Sequence, residues 1–516
     1  MEKRSRLKSY FLAILTSVVL IFSGCSDEFF TEKAGDRITP EQHYASVVDL
    51  DIAAYGAIIP LQDIMPRLIM LDGLRSDMMD VTPFADAYLN EINDQMISAG
   101  NPYTDPSDLY KIIININEVL ANIPVVIKND KQADSLTVSA YTNALIGMRS
   151  WTYLTISRLY GKAAIIPDNM IELPANLNQS VMTKAVLIDT LINQVLPYIH
   201  DNSTGTVYAE ARFGGMVNTK ALLGELYLEK GDYTNAVKYL KMACESYDNL
   251  AARLKVDKTY KDIAWINIFY NAEGQDIENL CVVPYSSDEG QSNPLPSWTY
   301  NQYLVKPTQV VIDSFSSQIS ATGTVGDAYR GMGYTFYADT SVLGDGSTVI
   351  YPIITKYLIP LLESFSSDII ISRAADIHLL LAEAYNRLGD ATSQKYALML
   401  LNDGVNKENP KPAPYTRWAG NLGIRGRVTL QARTVPATMT DPEAITNLIE
   451  DFIIAERAME LAYEGKRWND LVRIAERRNT PEYLADKIAA KFPAGTKRDG
   501  IRALLMDPSK WYLQMQ

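Results

Sequence analysis

Leu223-Gly-Glu-Leu-Tyr-Leu-Glu-Lys-Gly-Asp232 decides the fold, because it returns later in the chain as Leu381-Ala-Glu-Ala-Tyr-Asn-Arg-Leu-Gly-Asp390. The shared frame is L-x-E-x-Y-x-x-x-G-D. In the first copy a second helical pattern follows, with Tyr233, Ala236, Tyr239, Leu240 and Ala243 at helical spacing. Helix, Gly-Asp turn and second helix make the unit of a tetratricopeptide repeat. Gly231 and Gly389 are predicted to end their first helices, where a left-handed residue costs glycine least. Ala236 is small enough to let the paired helices approach closely. Weaker copies run from Arg149 to Gly161, with Tyr153 and Tyr160, and from Glu456 to Ala475, turning at Glu464-Gly465-Lys466-Arg467-Trp468. About 150 residues separate the two clear copies, so a plain solenoid of contiguous repeats is excluded. A helical scaffold carrying a large irregular insertion is expected.

Apolar residues recur three and four apart across 45–60, 108–123, 136–160, 184–199, 217–246, 370–403 and 444–477, which predicts helices there. The stretch 280–360 differs. It holds short β-type runs, Leu280-Cys281-Val282-Val283 and Val349-Ile350-Tyr351-Pro352-Ile353-Ile354, between loops rich in Gly, Ser, Asp and Pro. A second irregular stretch runs from 405 to 442. The predicted class is mostly α with short β-strands in a loop-rich region, and long loops in a compact protein are commonly functional.

The N-terminus reads as an export signal. Lys3, Arg4, Arg6 and Lys8 precede an apolar run from Tyr10 to Phe22, broken by Thr16 and Ser17, and then Ser23-Gly24-Cys25 and Ser26-Asp27-Glu28. Cys25 after small residues makes residues 1–24 a lipoprotein signal and Cys25 the acylated first residue, although Phe22 stands where such signals usually carry Leu. The apolar run is shorter than the ~20 residues a membrane span needs. Acyl chains, at about 0.8 kcal/mol per buried methylene, hold a protein to a membrane without one. A plain secretory signal and an uncleaved anchor helix are the alternatives.

Net charge is −13, and the first 24 residues carry four basic residues and one acid, so the remainder is near −16. Phosphate binding needs a basic footprint, so this balance argues against nucleic acid. Apart from Cys25 there are only Cys244 and Cys281, with no metal-type spacing. They are expected as buried free thiols, since a core this large needs no staple; a Cys244–Cys281 disulfide is the alternative. Three histidines (His43, His200, His378) face 31 tyrosines and six tryptophans. HExxH, GxSxG, Walker and dinucleotide patterns are missing. The balance favours recognition over catalysis, with neither cofactor nor metal.

The ordered motifs resemble the SusD/RagB family of outer-membrane nutrient-binding lipoproteins. Cys25-Ser26-Asp27 is similar to that family's start. Leu109-Tyr110-Lys111 through Asn117, Leu120 and Ile123-Pro124 resembles its early helix. Arg149–Gly161 and Asn218–Ala236 resemble its R-x-x-x-Y-x-x-L-x-x-x-Y-G segment and its repeat unit. Arg373-Ala-Ala-Asp376 with Leu381-Ala-Glu-Ala-Tyr385 resembles R-x-x-D-x-x-L-L-x-A-E-A. Glu456 through Leu471 resembles the C-terminal R-x-x-E-L-x-x-E-G-x-R-x-x-D-L signature. Ala374-Ala375 and Asn402-Asp403-Gly404-Val405-Asn406 depart from the family pattern. The resemblance implies one SusD-like domain over 25–516, with an N-terminal part to about 275 and a C-terminal part from 276 that carries the 280–360 insertion. It implies four tetratricopeptide-like helix-turn-helix units, a lipid-anchored place on the outer face of the outer membrane, and binding without catalysis. The implied partner is a SusC-like TonB-dependent transporter, and the implied ligand an oligosaccharide or polysaccharide, in some members a peptide.

Sugars stack their apolar faces on aromatic rings and present hydroxyls to polar rims. Loop aromatics are therefore the candidates for ligand contact: Tyr285, Trp298, Tyr300 and Tyr303 in one loop, and Phe84 and Tyr88 in another that also holds Tyr103. Tyr329, Tyr334, Phe336 and Tyr337 form a third group. The competing role for each ring is to pin its loop by packing. A peptide-binding repeat scaffold is the alternative function. A glycoside hydrolase using Glu460 and Glu464 is the third, but acids one turn apart on a helix do not easily flank a bond, and ion pairing is the expected role. Asp339 and Asp345 offer oxygen ligands without an EF-hand frame.

Overall fold

The computed structural model describes residues 43–168, 170, 180–199, 216–245, 256, 259–261, 264–269, 278–342, 348–358, 367–405 and 420–515. The export-signal stretch, Cys25, His200 and Asp345 lie outside the described residues. The helices are α1 (Val47–Ile58), α2 (Leu61–Arg75), α3 (Ala87–Asn93), α4 (Ser107–Asn129), α5 (Ser135–Tyr160), α6 (Lys184–Val195), α7 (Thr219–Lys230), α8 (Tyr233–Cys244) and α9 (Ala264–Phe269). They continue as α10 (Gln309–Ser316), α11 (Ala374–Arg387), α12 (Ala391–Leu401), α13 (Ile424–Arg427), α14 (Pro442–Glu460), α15 (Arg467–Arg478), α16 (Pro481–Ala489) and α17 (Thr496–Leu505). Four antiparallel hairpins, α4/α5, α7/α8, α11/α12 and α14/α15, make the tetratricopeptide-like scaffold expected from the repeat. The largest hydrophobic cluster runs through it from Tyr44 to Leu513.

Each letter of the repeat has a physical task. Gly231 and Gly389 are left-handed (φ 82° and 80°) and end α7 and α11. The aspartates that follow cap the next helices: Asn235 N–H donates to Asp232 at 3.1 Å and Ser393 N–H to Asp390 at 3.0 Å. The tyrosines stack across each hairpin, Tyr227 on Tyr239 at 5.4 Å and Tyr385 on Tyr396 at 5.6 Å between centroids. The glutamates leave the hairpin, Glu225 to Arg158 (2.8 Å) and Glu383 to Arg473 (2.7 Å), and so tie one unit to another. Ala236 is fully buried as expected, and Gly224 matters as much: a Cβ there would stand 2.5 Å from Leu240 Cγ and 2.8 Å from its backbone nitrogen.

The strands pair in four antiparallel ribbons. β1 (Met79–Val81) joins β5 (Val305–Pro307), and β2 (Lys162–Ala164) joins β3 (Val181–Thr183). β4 (Asn279–Val283) joins β8 (Ile369–Arg373), and β6 (Phe336–Val342) joins β7 (Thr348–Ile354). Residues 370–373 therefore correct the helical expectation for 370–403. Three consecutive β-branched residues, Ile369-Ile370-Ile371, find a partner in Val282-Val283 and stay extended until α11 begins. Helix α2 lies outside the helical stretches read from the sequence, and it contains Pro66. Pro66 has no N–H for the Gln62 carbonyl one turn back, and the Tyr285 hydroxyl donates to that oxygen instead at 2.7 Å. Cys244 and Cys281 are both buried, and no disulfide joins them.

A buried ion network locks the C-terminal hairpin to the insertion. Arg373, at the end of β8, donates to Glu460 (2.8 Å), Glu464 (2.9 Å) and Glu278 (2.5 Å). Arg330 binds Asp327 (2.7 Å), Glu456 (2.8 Å) and Glu460 (2.6 Å), while Lys356 binds Glu464 (2.6 Å). Arg457 joins Asp376 (2.8 Å) to Asp470 (2.7 Å). Burial alone would raise the Glu460 carboxyl; the Arg373, Arg330 and Arg427 guanidiniums outweigh it and hold the group at about 2. Glu383 is likewise held at about 2, burial being outweighed by Arg473 and Arg477.

Gly224→Ala should destabilise the fold by about 1–3 kcal/mol in urea melts, because overpacking has no flexible side-chain end to displace. Carboxyls whose folded pKa is depressed give stability that is present above their unfolded value near 4.5 and lost as pH falls toward 2. Melting temperature should therefore hold above pH 5 and fall steeply below it. Arg373→Met should cost about 3–5 kcal/mol at pH 7 by stranding buried carboxylates, and the penalty should shrink in acid.

Candidate ligand-binding surface

The β1–β5 ribbon brings together the two aromatic loops singled out in the sequence. Met79 pairs with Pro307 and Val81 with Val305. Beyond the ribbon Thr82 N–H donates to the Leu304 carbonyl at 3.0 Å, and the Thr82 hydroxyl donates to the Tyr303 carbonyl. Segment 82–104 thus lies against segment 294–304. The base of the ribbon is clamped: Thr308 donates to the Asp77 carbonyl at 2.6 Å, and Arg467 takes both Asp77 carboxylate oxygens at 2.7 Å. Bidentate guanidinium–carboxylate pairs fix geometry as well as charge.

On this clamped base the rings divide into exposed and anchoring sets. Phe84 is 67% exposed, Tyr300 46% and Tyr88 42%. Large side chains held this open, in well-built local structure, are informative. Asp86 caps α3 and so fixes Tyr88 (Leu89 N–H to Asp86, 2.8 Å). Tyr300 and Trp298 sit on a π-helical turn, Ser297–Asn301, closed by Gln302 N–H to the Ser297 carbonyl at 2.8 Å. Such turns are frequent at functional sites. Trp298 is half-buried and meets Tyr103 edge-on at 6.4 Å, joining the two loops through their rings.

Tyr303 and Tyr285 take other positions. Tyr303 is left-handed (φ 48°), which is unusual for a bulky residue and costs of order 1–3 kcal/mol. Its hydroxyl donates to the Pro352 carbonyl at 3.1 Å, and its ring meets Tyr351 edge-on at 6.1 Å, so it ties the loop to the β6–β7 ribbon. Tyr285 is buried; its hydroxyl serves the Gln62 carbonyl and its N–H donates to Asp368 at 3.1 Å. It does not share the open surface, and the physical reason is the carbonyl that Pro66 leaves without a donor. Tyr103 and Tyr351 support the patch; the β-type alternation of 349–354 was the available signal for Tyr351.

Polar groups surround the patch. Glu91 accepts from Ser98 N–H (3.1 Å), the Ser98 hydroxyl (2.7 Å) and Asn101 (3.1 Å), and these hydrogen bonds hold its carboxyl below the usual range. Beneath it Lys491 donates to Asn93 at 2.8 Å and to the Met79 carbonyl at 3.3 Å. Glu460 and Glu464 lie elsewhere, both buried and engaged by Arg373, and flank no open groove together. Among the described residues no cluster of His, Cys, Asp and Glu has a metal-holding arrangement.

Comparison with known proteins matches residues 363–500 to the SusD family model. A SusD-like protein P2 of Formosa agariphila is 22% identical over 503 residues, covering 89% of this chain and 90% of that protein. A SusD-like protein P38 of the same organism is 36% identical over 107 residues, 21% of this chain and 17% of that protein. Among solved structures, a SusD homolog from Bacteroides thetaiotaomicron superposes with a TM-score of 0.63 at 15% identity, covering 92% of this chain and 94% of that one. A SusD superfamily protein from Bacteroides vulgatus gives 0.61 at 15% identity, covering 89% and 92%. At such identities the structural likeness speaks for the fold.

Proposed function

Since the chain is a SusD/RagB family protein, we propose that it captures oligosaccharides at the cell surface and passes them to a SusC-like TonB-dependent outer-membrane transporter. The observation that carries this reading is the open aromatic surface on a rigid base: Phe84, Tyr88 and Tyr300 exposed, with Trp298 half-buried between the loops. Flat rings offer apolar area to sugar faces at little entropic cost, and polar groups alongside can meet hydroxyls. In this reading residues 1–24 direct export, Cys25 carries the lipid, and residues 25–516 act as one domain at the outer face of the outer membrane. The protein binds and does not cut. Glu460 and Glu464 keep the fold, since each is already committed to buried cations.

Affinity electrophoresis of the detergent-solubilised full chain against plant, host and microbial glycans tests the ligand class. One glycan class should retard it, and Trp298→Ala with Tyr300→Ala should weaken that binding at least about tenfold through loss of ring area against the sugar faces; because Trp298 also packs between the loops, the exposed Tyr300→Ala alone is the variant expected to weaken binding without lowering the melting temperature. Retardation unchanged by the double variant would remove the patch from the site. Peptide binding in place of glycan binding would favour the peptide-scaffold reading, and release of shorter sugars would favour the hydrolase. For the partner, mild solubilisation of native membranes should co-purify a large β-barrel protein; a lone chain would count against the transporter.

A further inference from the structure

Helix α1 is apolar on two opposite faces. Leu50, Ala54 and Ala57 turn inward and are buried. On the other side Val48 (67%), Ile52 (62%), Tyr55 (38%) and, just past the helix end, Ile59 (61%) are exposed. Steps of four, three and four residues make these side chains one continuous stripe. A surface helix normally turns a charged or polar face to water, and one that is apolar all round is covered by something. The two acids of α1 are engaged locally: Ser46 N–H donates to Asp49 at 2.8 Å in a capping box, and the Tyr141 hydroxyl donates to Asp51 at 2.8 Å.

Seventeen residues, 26–42, separate Cys25 from His43, where the described chain begins. A chain of that length spans at most about 60 Å, so an acyl group on Cys25 would keep α1 close to the bilayer. The open parts of the four stripe side chains amount to roughly 400 Å², the size at which an exposed patch marks an interaction surface. A stable protein complex covers about 800 Å² on each partner, so the stripe alone is too small to hold a second copy or a free protein. A surface already tethered needs less, because its contact is intramolecular. The edges of the stripe also suit lipid. Tyrosine is enriched at membrane–water interfaces. Val47 N–H donates to Asp130 at 3.0 Å, which sets the end of α4, with exposed Ile127 and Lys128, beside the start of α1. A lysine there can lay its stem on apolar surface and keep its ammonium among headgroups.

We propose that the exposed stripe of α1 rests on the lipid bilayer, with Val48, Ile52 and Ile59 in the acyl boundary and Tyr55 at headgroup level. The helix is about 18 Å long, too short to cross a hydrocarbon core of about 30 Å, so it lies along the surface. This placement rests on the Cys25 anchor of the reading above and is independent of the ligand. An acyl anchor alone leaves the domain free to turn on its tether. A second contact through α1 fixes which way the aromatic surface points.

Nitroxide accessibility tests it on the full chain, expressed with its export signal and reconstituted in phosphatidylcholine–phosphatidylglycerol vesicles. Acylation of Cys25 is read first, from the mass of the N-terminal peptide. Labels are placed at Val48→Cys, Ile52→Cys and Ile59→Cys, with Glu482→Cys, exposed on α16, as the solvent reference. Cys244 and Cys281 are buried and take no label. Oxygen concentrates in lipid and a nickel chelate in water, so the ratio of oxygen to nickel collisions at the α1 labels should exceed the reference at least about threefold. A ratio equal to the reference on the acylated chain would overturn the placement and leave the anchor standing. Labels shielded from both probes would also overturn it, in favour of a protein cover, either a second copy or the transporter. A chain without acyl groups at Cys25 would overturn the anchor reading and the placement with it.

Discussion

Arg373 is the constraint on which the rest of the structure depends. It stands at the junction of β8 and α11, fully buried, and touches three carboxylates from two separate stretches: Glu278 before β4, and Glu460 and Glu464 at the end of α14 and in the turn after it. A buried guanidinium is costly unless every donor is met. Only one arrangement of β4, β8 and the turn after α14 meets them all. Replacing such a network by apolar side chains would change net stability little, whereas removing one member strands the others. Its role is therefore to fix register. With Arg330 and Lys356 joining from the insertion, the loop-rich region is held to the scaffold by charge as well as by apolar contact.

The aromatic surface inherits this rigidity. Arg467 follows Glu464 by three positions and reaches Asp77 at the base of the first aromatic loop. The same short signature thus braces the insertion on one side and the first aromatic loop on the other. Phe84, Tyr88 and Tyr300 can stay open to solvent because the backbone beneath them is held by the β1–β5 ribbon, the Asp86 cap and the π-helical turn. Rings fixed in advance lose little freedom when a ligand arrives.

The scaffold was legible because its signals are local. Helical spacing, left-handed glycines and the recurring Gly-Asp pair all act within a few residues, and they mark the hairpins α7/α8 and α11/α12. What was illegible rests on distant compensation. Helix α2 contains a proline, and the hydroxyl that repairs its broken ladder comes from Tyr285, 223 positions away. From sequence Tyr285 looked like its loop neighbours Trp298 and Tyr300, because nothing local tells an anchoring ring from an open one. Residues 370–373 read as helix for the same reason: their strand partner lies about ninety residues upstream. The adjacency of the two aromatic loops likewise depends on a ribbon between Met79–Val81 and Val305–Pro307, each too short to stand out.

The Arg467–Asp77 clamp joins residues 390 positions apart. A chain emerging from its N-terminus has the first aromatic loop long before it has the arginine that braces it. Closing so long a loop is entropically slow. The aromatic face is therefore among the last parts to reach its final shape, and a chain cut short before α15 would keep most of its helical hairpins while lacking the clamp that fixes that face.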